Sequence, residues 1–70
     1  MAFSLSAFHR ILKKAGAERV SDEAAAALKE ATEEIAENLA KKIVRVSEHA
    51  GRKTILERDV ELVTSEEKRG

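Results

Sequence analysis

Apolar residues recur along the chain with the spacing of α-helices, in three segments separated by glycine. In the first segment they repeat every three or four positions and so form one stripe of an amphipathic helix. This stripe consists of Leu5, Phe8, Ile11, Leu12 and Ala15. Ser4 or Ser6 can cap the start of the helix, and Gly16 suits the left-handed backbone position beyond its end.

The second segment predicts a long helix. Ser21 is a good N-cap residue, and the acids Asp22 and Glu23 are favoured at the positive end of a helix dipole. The helical pattern then continues unbroken to about His49, and Gly51 ends it.

The third segment predicts a helix that begins near Leu56 or Glu57 and reaches about Ser65. The last six residues, SEEKRG, are expected to fray. The start of this helix is open between two interpretations. Thr54 can form a capping box with Glu57, and residues 52–55 can equally form a short extended piece.

The predicted middle helix is too long for two short helices to cover. Its 29 residues span about 43 Å, whereas a compact chain of 70 residues has a radius of gyration of about 11 Å. The helix is nevertheless apolar on more than one side. One face carries Leu28, Ile35, Leu39 and Val46, and another carries Ala36, Ala40, Ile43 and Val44. A second copy crossing the helix would cover both faces; the alternative is a long, partly solvated, alanine-rich helix.

The fold class predicted by these patterns is all-α, with one domain over residues 1–70 and helices in the order short, long, short. Composition adds a reason for a partner chain. Aromatic residues are limited to Phe3 and Phe8, and the chain has no cysteine, so a disulfide or thiolate metal site cannot stabilise so short a domain. Oligomerisation is therefore expected. No apolar run reaches the ~18–20 residues of a membrane span and no signal peptide is evident, which favours a cytoplasmic location without a membrane partner.

The net charge of zero conceals a segregation of charge along the chain. Residues 1–20 carry four basic residues against one acid, and residues 50–56 carry two basic residues and no acid. The long helix has a net charge of −3, and residues 57–70 have a net charge of −2. Basic residues beside helix ends bind phosphate well, because loop N–H groups and helix dipoles add to the side-chain charge.

Three blocks of sequence resemble the archaeal histones: residues 15–22 (AGAERVSD), 49–55 (HAGRKTI) and 59–62 (DVEL). The resemblance covers nearly the whole chain without gaps. It implies the histone fold, in which the long central helix crosses its twin in an intertwined head-to-tail homodimer. It also implies dimers that bind duplex DNA without strong sequence preference and stack into chains that wrap it, and hence a chromosome-associated protein.

The resemblance implies a role in DNA binding for individual residues. Arg10 would enter the minor groove, Arg19 would contact DNA from the first loop, and Lys53 with Thr54 would grip phosphate from the second. The full set expected at the DNA surface is Arg10, Lys13, Lys14, Arg19, Arg52, Lys53 and Thr54.

The same resemblance implies the contacts that join and stack dimers. A small four-helix bundle between two dimers would use Val46, His49, Asp59 and Leu62. Gly16 would allow successive turns of a wrapped fibre to stack closely. Arg52 and Asp59 also match an ion pair within the fold, so Arg52 can serve the structure as well as the DNA surface.

The chain departs from the family pattern in two places. Leu56 stands where a basic residue is common, and residues 64–67 (TSEE) replace the basic cluster in which many members end. With the zero net charge, these departures favour a second interpretation: a histone-fold interaction protein that pairs with another histone paralogue and caps or modulates fibres while binding DNA weakly. The intact basic loop residues and Gly16 favour the DNA-wrapping homodimer.

No constellation of residues favours catalysis, a cofactor or a metal. Residues 51–54 (GRKT) lack both the second glycine and the adjacent Gly-Lys of a phosphate-binding loop. His9 and His49 are forty positions apart, and neither has a second ligand one turn away. We therefore expect a protein that is not an enzyme and has no catalytic residues. Its expected partners are double-stranded DNA, a second copy of itself and other histone paralogues.

Overall fold

The computed structural model describes residues 3–69, which form three α-helices and, within that range, no strand. The helices are α1 (Leu5–Lys14), α2 (Asp22–His49) and α3 (Glu57–Arg69). They are joined by loop 1, residues 15–21, and loop 2, residues 50–56. The predicted all-α class and the short–long–short order are confirmed. None of the described helices is long and apolar enough to cross a membrane.

The chain divides into two compact units, Met1–Ile35 and Ala36–Gly70. The first unit contains α1, loop 1 and the first half of α2. The second contains the rest of α2, loop 2 and α3. Each unit therefore holds one of the two loops that join the helices.

Serine hydroxyls cap the starts of α1 and α2. The Ser4 hydroxyl accepts a hydrogen bond from the N–H of Ala7 at 3.2 Å, and the Ser21 hydroxyl accepts one from the N–H of Ala24 at 3.1 Å. Each bond satisfies a backbone donor that the first turn of a helix leaves without a partner. Of the two serines considered for α1, Ser4 is the cap.

Glycine ends both α1 and α2 in the same way. Gly16 has φ +117° and Gly51 has φ +70°, a region that side chains with a Cβ disfavour. After α1, the N–H groups of Gly16 and Ala17 donate to last-turn carbonyls at 3.0 and 3.1 Å. After α2, Gly51 and Arg52 donate in the same pattern at 2.9 and 3.1 Å. Both loops therefore begin from a Schellman motif.

Helix α3 is longer than the sequence pattern predicts. The expected end near Ser65 and the frayed segment after it are wrong for residues 65–69, because the helix continues to Arg69. The residues that follow Ser65 are mostly good helix formers. In addition, the Glu67 carboxylate contacts the Lys42 ammonium on α2, which ties the last turns to the same unit.

Helix α3 begins at Glu57, within the predicted start at Leu56 or Glu57, but its cap is not the capping box of Thr54 and Glu57. Residues 52–56 form a loop without a strand. The cap is supplied by Asp59 in the first turn of α3, whose Oδ2 accepts the N–H of Leu56 at 2.8 Å. This bond is the carboxylate half of a capping box, and its partner is the residue that immediately precedes the helix.

The single chain buries few side chains. Among the described residues the buried hydrophobic ones are Phe8, Ala25 and Val63, each no more than 4% exposed. Other large hydrophobic side chains are exposed: Phe3, Leu5, Ile11, Ile35, Val44, Ile55, Val60 and Leu62. So much exposed apolar surface on so short a chain is typical of a surface that another molecule covers.

Candidate nucleic-acid interface

The first part of the candidate interface lies on α1. Arg10, Lys13 and Lys14 are all exposed. Lys13 and Lys14 occupy the last turn, where the negative end of the helix dipole favours positive charge. Arg10 and Lys14 also line an open surface cavity with Ala7 and Ile11. The exposed side of α1 thus combines cations with a small apolar floor.

Loop 1 adds an exposed arginine and an open glycine to the same unit. Arg19 is exposed, and no described residue gives its side chain a hydrogen bond or an ion pair. A Cβ atom placed on Gly16 would meet no other atom within 4 Å, so the space above this residue is open. Loop 1 therefore presents both a cation and a surface that another molecule can approach closely.

A hydrogen bond that the sequence pattern did not reveal spans loop 1. The Nε2 atom of His9 on α1 lies 2.9 Å from Oδ1 of Asp22, the first residue of α2. The sequence analysis tested His9 only as a metal ligand, which its spacing disfavours, and spacing within a helix carries no information about a contact across a loop. The described residues contain no group of three or more side chains that could hold a metal ion.

In the second unit, a buried serine fixes the backbone of loop 2. Ser47 is 3% exposed, and its hydroxyl lies 3.3 Å from the carbonyl oxygen of Arg52 and 3.2 Å from that of Thr54. The Arg52 guanidinium donates to the Thr54 carbonyl at 3.0 Å. The sequence did predict the loop but not this role of Ser47. A signal for it was available, because Ser47 is a polar residue one turn after Ile43 on an apolar face of the helix, and buried polar groups need hydrogen-bond partners.

Arg52 and Asp59 form an ion pair in which both nitrogens of the guanidinium take part. Nη1 donates to Oδ2 at 2.9 Å, and Nη2 donates to Oδ1 at 2.6 Å. The hydrogen bonds from Arg52, followed by the one from the N–H of Leu56, lower the pKa of Asp59 from 3.8 to about 2. The same pair raises the pKa of Arg52. The ion pair implied by the family resemblance is present.

Lys53 and Thr54 are exposed beside this network. Within residues 3–69 the Lys53 ammonium makes no hydrogen bond or ion pair, whereas Arg52 is committed to Asp59. The two adjacent basic residues therefore differ: Arg52 holds the loop, and Lys53 is available to an external anion. The predicted contact of Arg52 with DNA stays a prediction.

The four residues expected to join dimers all lie in the second unit, but they differ in exposure. His49 and Leu62 are exposed, and Val46 is half-buried. Asp59 is only 2% exposed, and its two oxygens already accept three N–H groups. A contact of Asp59 with a neighbouring dimer must therefore form beside the Arg52 pair and cannot replace it. The joining role of these four residues stays a prediction.

Three helices in short–long–short order, joined by two loops that each contain a positive-φ glycine, define the histone-fold class of DNA-associated proteins. The chain belongs to the family of histone-like transcription factors (CBF/NF-Y) and archaeal histones, whose sequence model matches residues 1–63. Members of this family are structural proteins and not enzymes.

Two curated relatives are similar over most of the chain. The archaeal histone HAN1 of Thermococcus zilligii has a subunit that is 53% identical over 53 residues, which cover 76% of this chain and 79% of that protein. Probable archaeal histone 3 of Methanocaldococcus jannaschii is 55% identical over 51 residues, which cover 73% and 76%. The resemblance to archaeal histones is confirmed.

Proposed function

We propose that this chain is an architectural DNA-binding protein. It acts as a homodimer, wraps and compacts duplex DNA without strong sequence preference, and stacks into nucleosome-like fibres on the chromosome. The observation that carries this proposal is that the residues of loop 2 have different roles. Ser47, Arg52 and Asp59 hold the loop rigid, while Lys53 and Thr54 are left exposed to meet phosphate.

Binding without sequence preference follows from the chemistry of the exposed groups. Arg10 and Arg19 in the first unit, and Lys53 in the second, are cations on helix ends and loops. Such groups recognise phosphate and sugar, which every duplex presents, and they position a protein on DNA without reading its bases. Lys13, Lys14 and Thr54 extend the same surface.

Dimerisation is supported by the apolar surface that one chain cannot cover. Ile35 is 60% exposed, Ile11 53% and Ile55 47%. A chain of 70 residues without cysteine has a small core and no disulfide, so it is only marginally stable alone. Leaving these side chains in water would reduce its stability further. A second copy that crosses α2 would cover them and supply the missing core.

Assembly of dimers into fibres uses two further surfaces. The exposed His49 and Leu62, with half-buried Val46, provide a small patch for an adjacent dimer, and Asp59 lies at its edge. The open space above Gly16 leaves room for the next turn of a wrapped fibre.

A second candidate function is an interaction paralogue that pairs with another histone and caps or modulates fibres. The zero net charge of the chain supports it, and one relative is named as a subunit of an archaeal histone. In this case DNA binding would be weak for the chain alone and would strengthen when a second histone is added.

Titrations of several unrelated duplexes at low and moderate salt test the proposal. A dimer presents two copies of each contact, so about 6–8 phosphates are neutralised and log K should fall with log salt at a slope of about −5 to −7. All duplexes should bind with similar affinity. Selection of one short site by orders of magnitude would contradict the proposal. Absence of binding at low salt, restored by a second histone, would favour the paralogue.

A further inference from the structure

An open surface cavity lies at the C-terminal end of α2, in the second unit. It has a volume of about 200 Å³ and is lined by Arg45, Glu48 and His49. A water molecule takes up only about 30 Å³ of the liquid, so the cavity has room for a side chain of another molecule. His49 also belongs to the set expected to join dimers. The cavity therefore lies beside that predicted contact.

Arg45 and Glu48 bring opposite charges to this cavity. Both are exposed, and over residues 3–69 neither forms an ion pair, with the other or with any third side chain. Glu48 lies in the last turn of α2, where the negative end of the helix dipole disfavours a carboxylate. The cation also precedes the acid, which is the order that stabilises a helix less. The two charges therefore contribute little to α2 itself and are available to another molecule.

A patch that carries both charges is complementary to a second copy of itself. In a contact with two-fold symmetry the same surface is used from both sides, so each pair of residues occurs twice. Arg45 of one dimer then faces Glu48 of the next, and Glu48 of the first faces Arg45 of the next. A neighbouring patch with two acids or two cations would set like charges opposite each other, which is unfavourable.

We propose that Arg45 and Glu48 select the partner when dimers join. They form reciprocal ion pairs with a second dimer of this chain, and they disfavour dimers with another arrangement of charge at these positions. The joining residues of the proposed function supply the contact, and this pair decides which dimers make it. This inference rests on the proposed function, because it concerns dimers that join along DNA.

The test is nuclease digestion of complexes formed on long DNA of mixed sequence. Glu48→Arg and Arg45→Glu each set like charges opposite each other twice per contact. Both should lower the share of protected DNA in fragments longer than one dimer by about tenfold, although they change the net charge in opposite directions. Glu37→Arg is the matched control. It makes the same charge change as Glu48→Arg at an exposed position about three turns earlier in α2, and it should keep the wild-type ladder.

Two restorations separate ion pairing from damage to the fold. A chain with both Arg45→Glu and Glu48→Arg has the composition of the wild type and reversed charges, so its dimers should join again and restore the ladder. The two single variants, mixed in equal amounts, should also restore it, because the acidic patch of one then meets the basic patch of the other. Binding of each variant to a duplex for one dimer reports folding without joining.

Each alternative outcome has a defined meaning. A wild-type ladder in both single variants overturns this inference and leaves the proposed function intact. An equal loss of the ladder in Glu37→Arg and Glu48→Arg overturns it as well, because net charge then governs joining. A loss that neither the double variant nor the mixture restores overturns the reciprocal pairing. No ladder with the wild type contradicts the proposed joining of dimers, and this inference with it.

Discussion

Arg52 and Lys53 are adjacent cations with different tasks. Arg52 donates to Asp59 and to the Thr54 carbonyl, so its charge is already neutralised inside the loop. Lys53 is exposed, and no described side chain pairs with it. A basic pair in a sequence therefore does not count as two equal phosphate contacts, and the effect of substituting each residue should differ in kind.

Replacing Lys53 with Ala should weaken the binding of all duplexes by a similar factor. A dimer carries two copies of the residue, so the slope of log K against log salt should become less steep by about 2. The melting temperature should change little, because Lys53 is exposed and makes no hydrogen bond or ion pair within residues 3–69. Binding and thermal unfolding measured on the same preparation provide the test.

Lys41→Ala is the control for this variant. It removes the same charge from an exposed position on α2 outside the candidate interface, and it should leave the salt slope nearly unchanged. An equal change of slope in both variants would show that total charge governs binding, and not the position of Lys53.

At the scale of helices and loops, local chemistry made most of the fold predictable. The caps at Ser4 and Ser21 and the ends at Gly16 and Gly51 follow from residues that lie next to the boundary. The start of α3 was predicted in the same way, although its cap is Asp59, three residues after Leu56. The end of α3 was not predictable, because its last turns depend on a contact of Glu67 with Lys42, which is 25 positions earlier in the chain.

Asp59 should make the stability of the fold depend on pH in the acidic range. Its pKa is about 2 in the folded chain against an ordinary 3.8, so the folded state binds fewer protons than the unfolded state between these values. The stabilisation is present above about pH 4 and is lost as the pH falls through about 2. Asp59→Asn should unfold at a lower temperature at pH 7 and should lose less stability between pH 4 and pH 2.

Thermal unfolding of the wild type and of Asp59→Asn from pH 7 to pH 2, at one protein concentration, measures this effect. Glu61→Gln is the matched control, because it neutralises an exposed carboxylate on the same helix and should follow the wild-type profile. Identical pH profiles for the wild type and Asp59→Asn would contradict the assigned role of the Arg52 pair.

At the scale of the whole molecule, the sequence predicted where the basic surfaces lie but not how they are held. The loops and their cations follow from composition and spacing. The hydroxyl of Ser47 and the bond between His9 and Asp22 depend on which residues meet after folding, and neither lies at a spacing within one helix that a sequence pattern detects. The exposed apolar residues, in turn, are explained by the proposed second chain that covers them.

Folding and dimerisation should therefore form a single equilibrium. The midpoint of thermal unfolding should rise with protein concentration over a roughly hundredfold range, because association stabilises the folded chain by mass action. Calorimetry or circular dichroism at each concentration measures this rise. A midpoint that stays constant over the range would show a stable monomer and would contradict the dimer.

The most direct test of a DNA-wrapping histone is nuclease digestion of complexes formed on long DNA of mixed sequence. The wild type should protect a ladder of fragments that increase by a regular length, as expected when dimers join along the DNA. His49→Glu places a carboxylate opposite the edge of the neighbouring dimer that carries Asp59, while Arg10, Arg19 and Lys53 are unchanged. This variant should still bind but protect only a short, dimer-sized length. An unchanged ladder in His49→Glu would show that dimers join through another surface, and no protected fragments with the wild type would contradict the wrapping function itself.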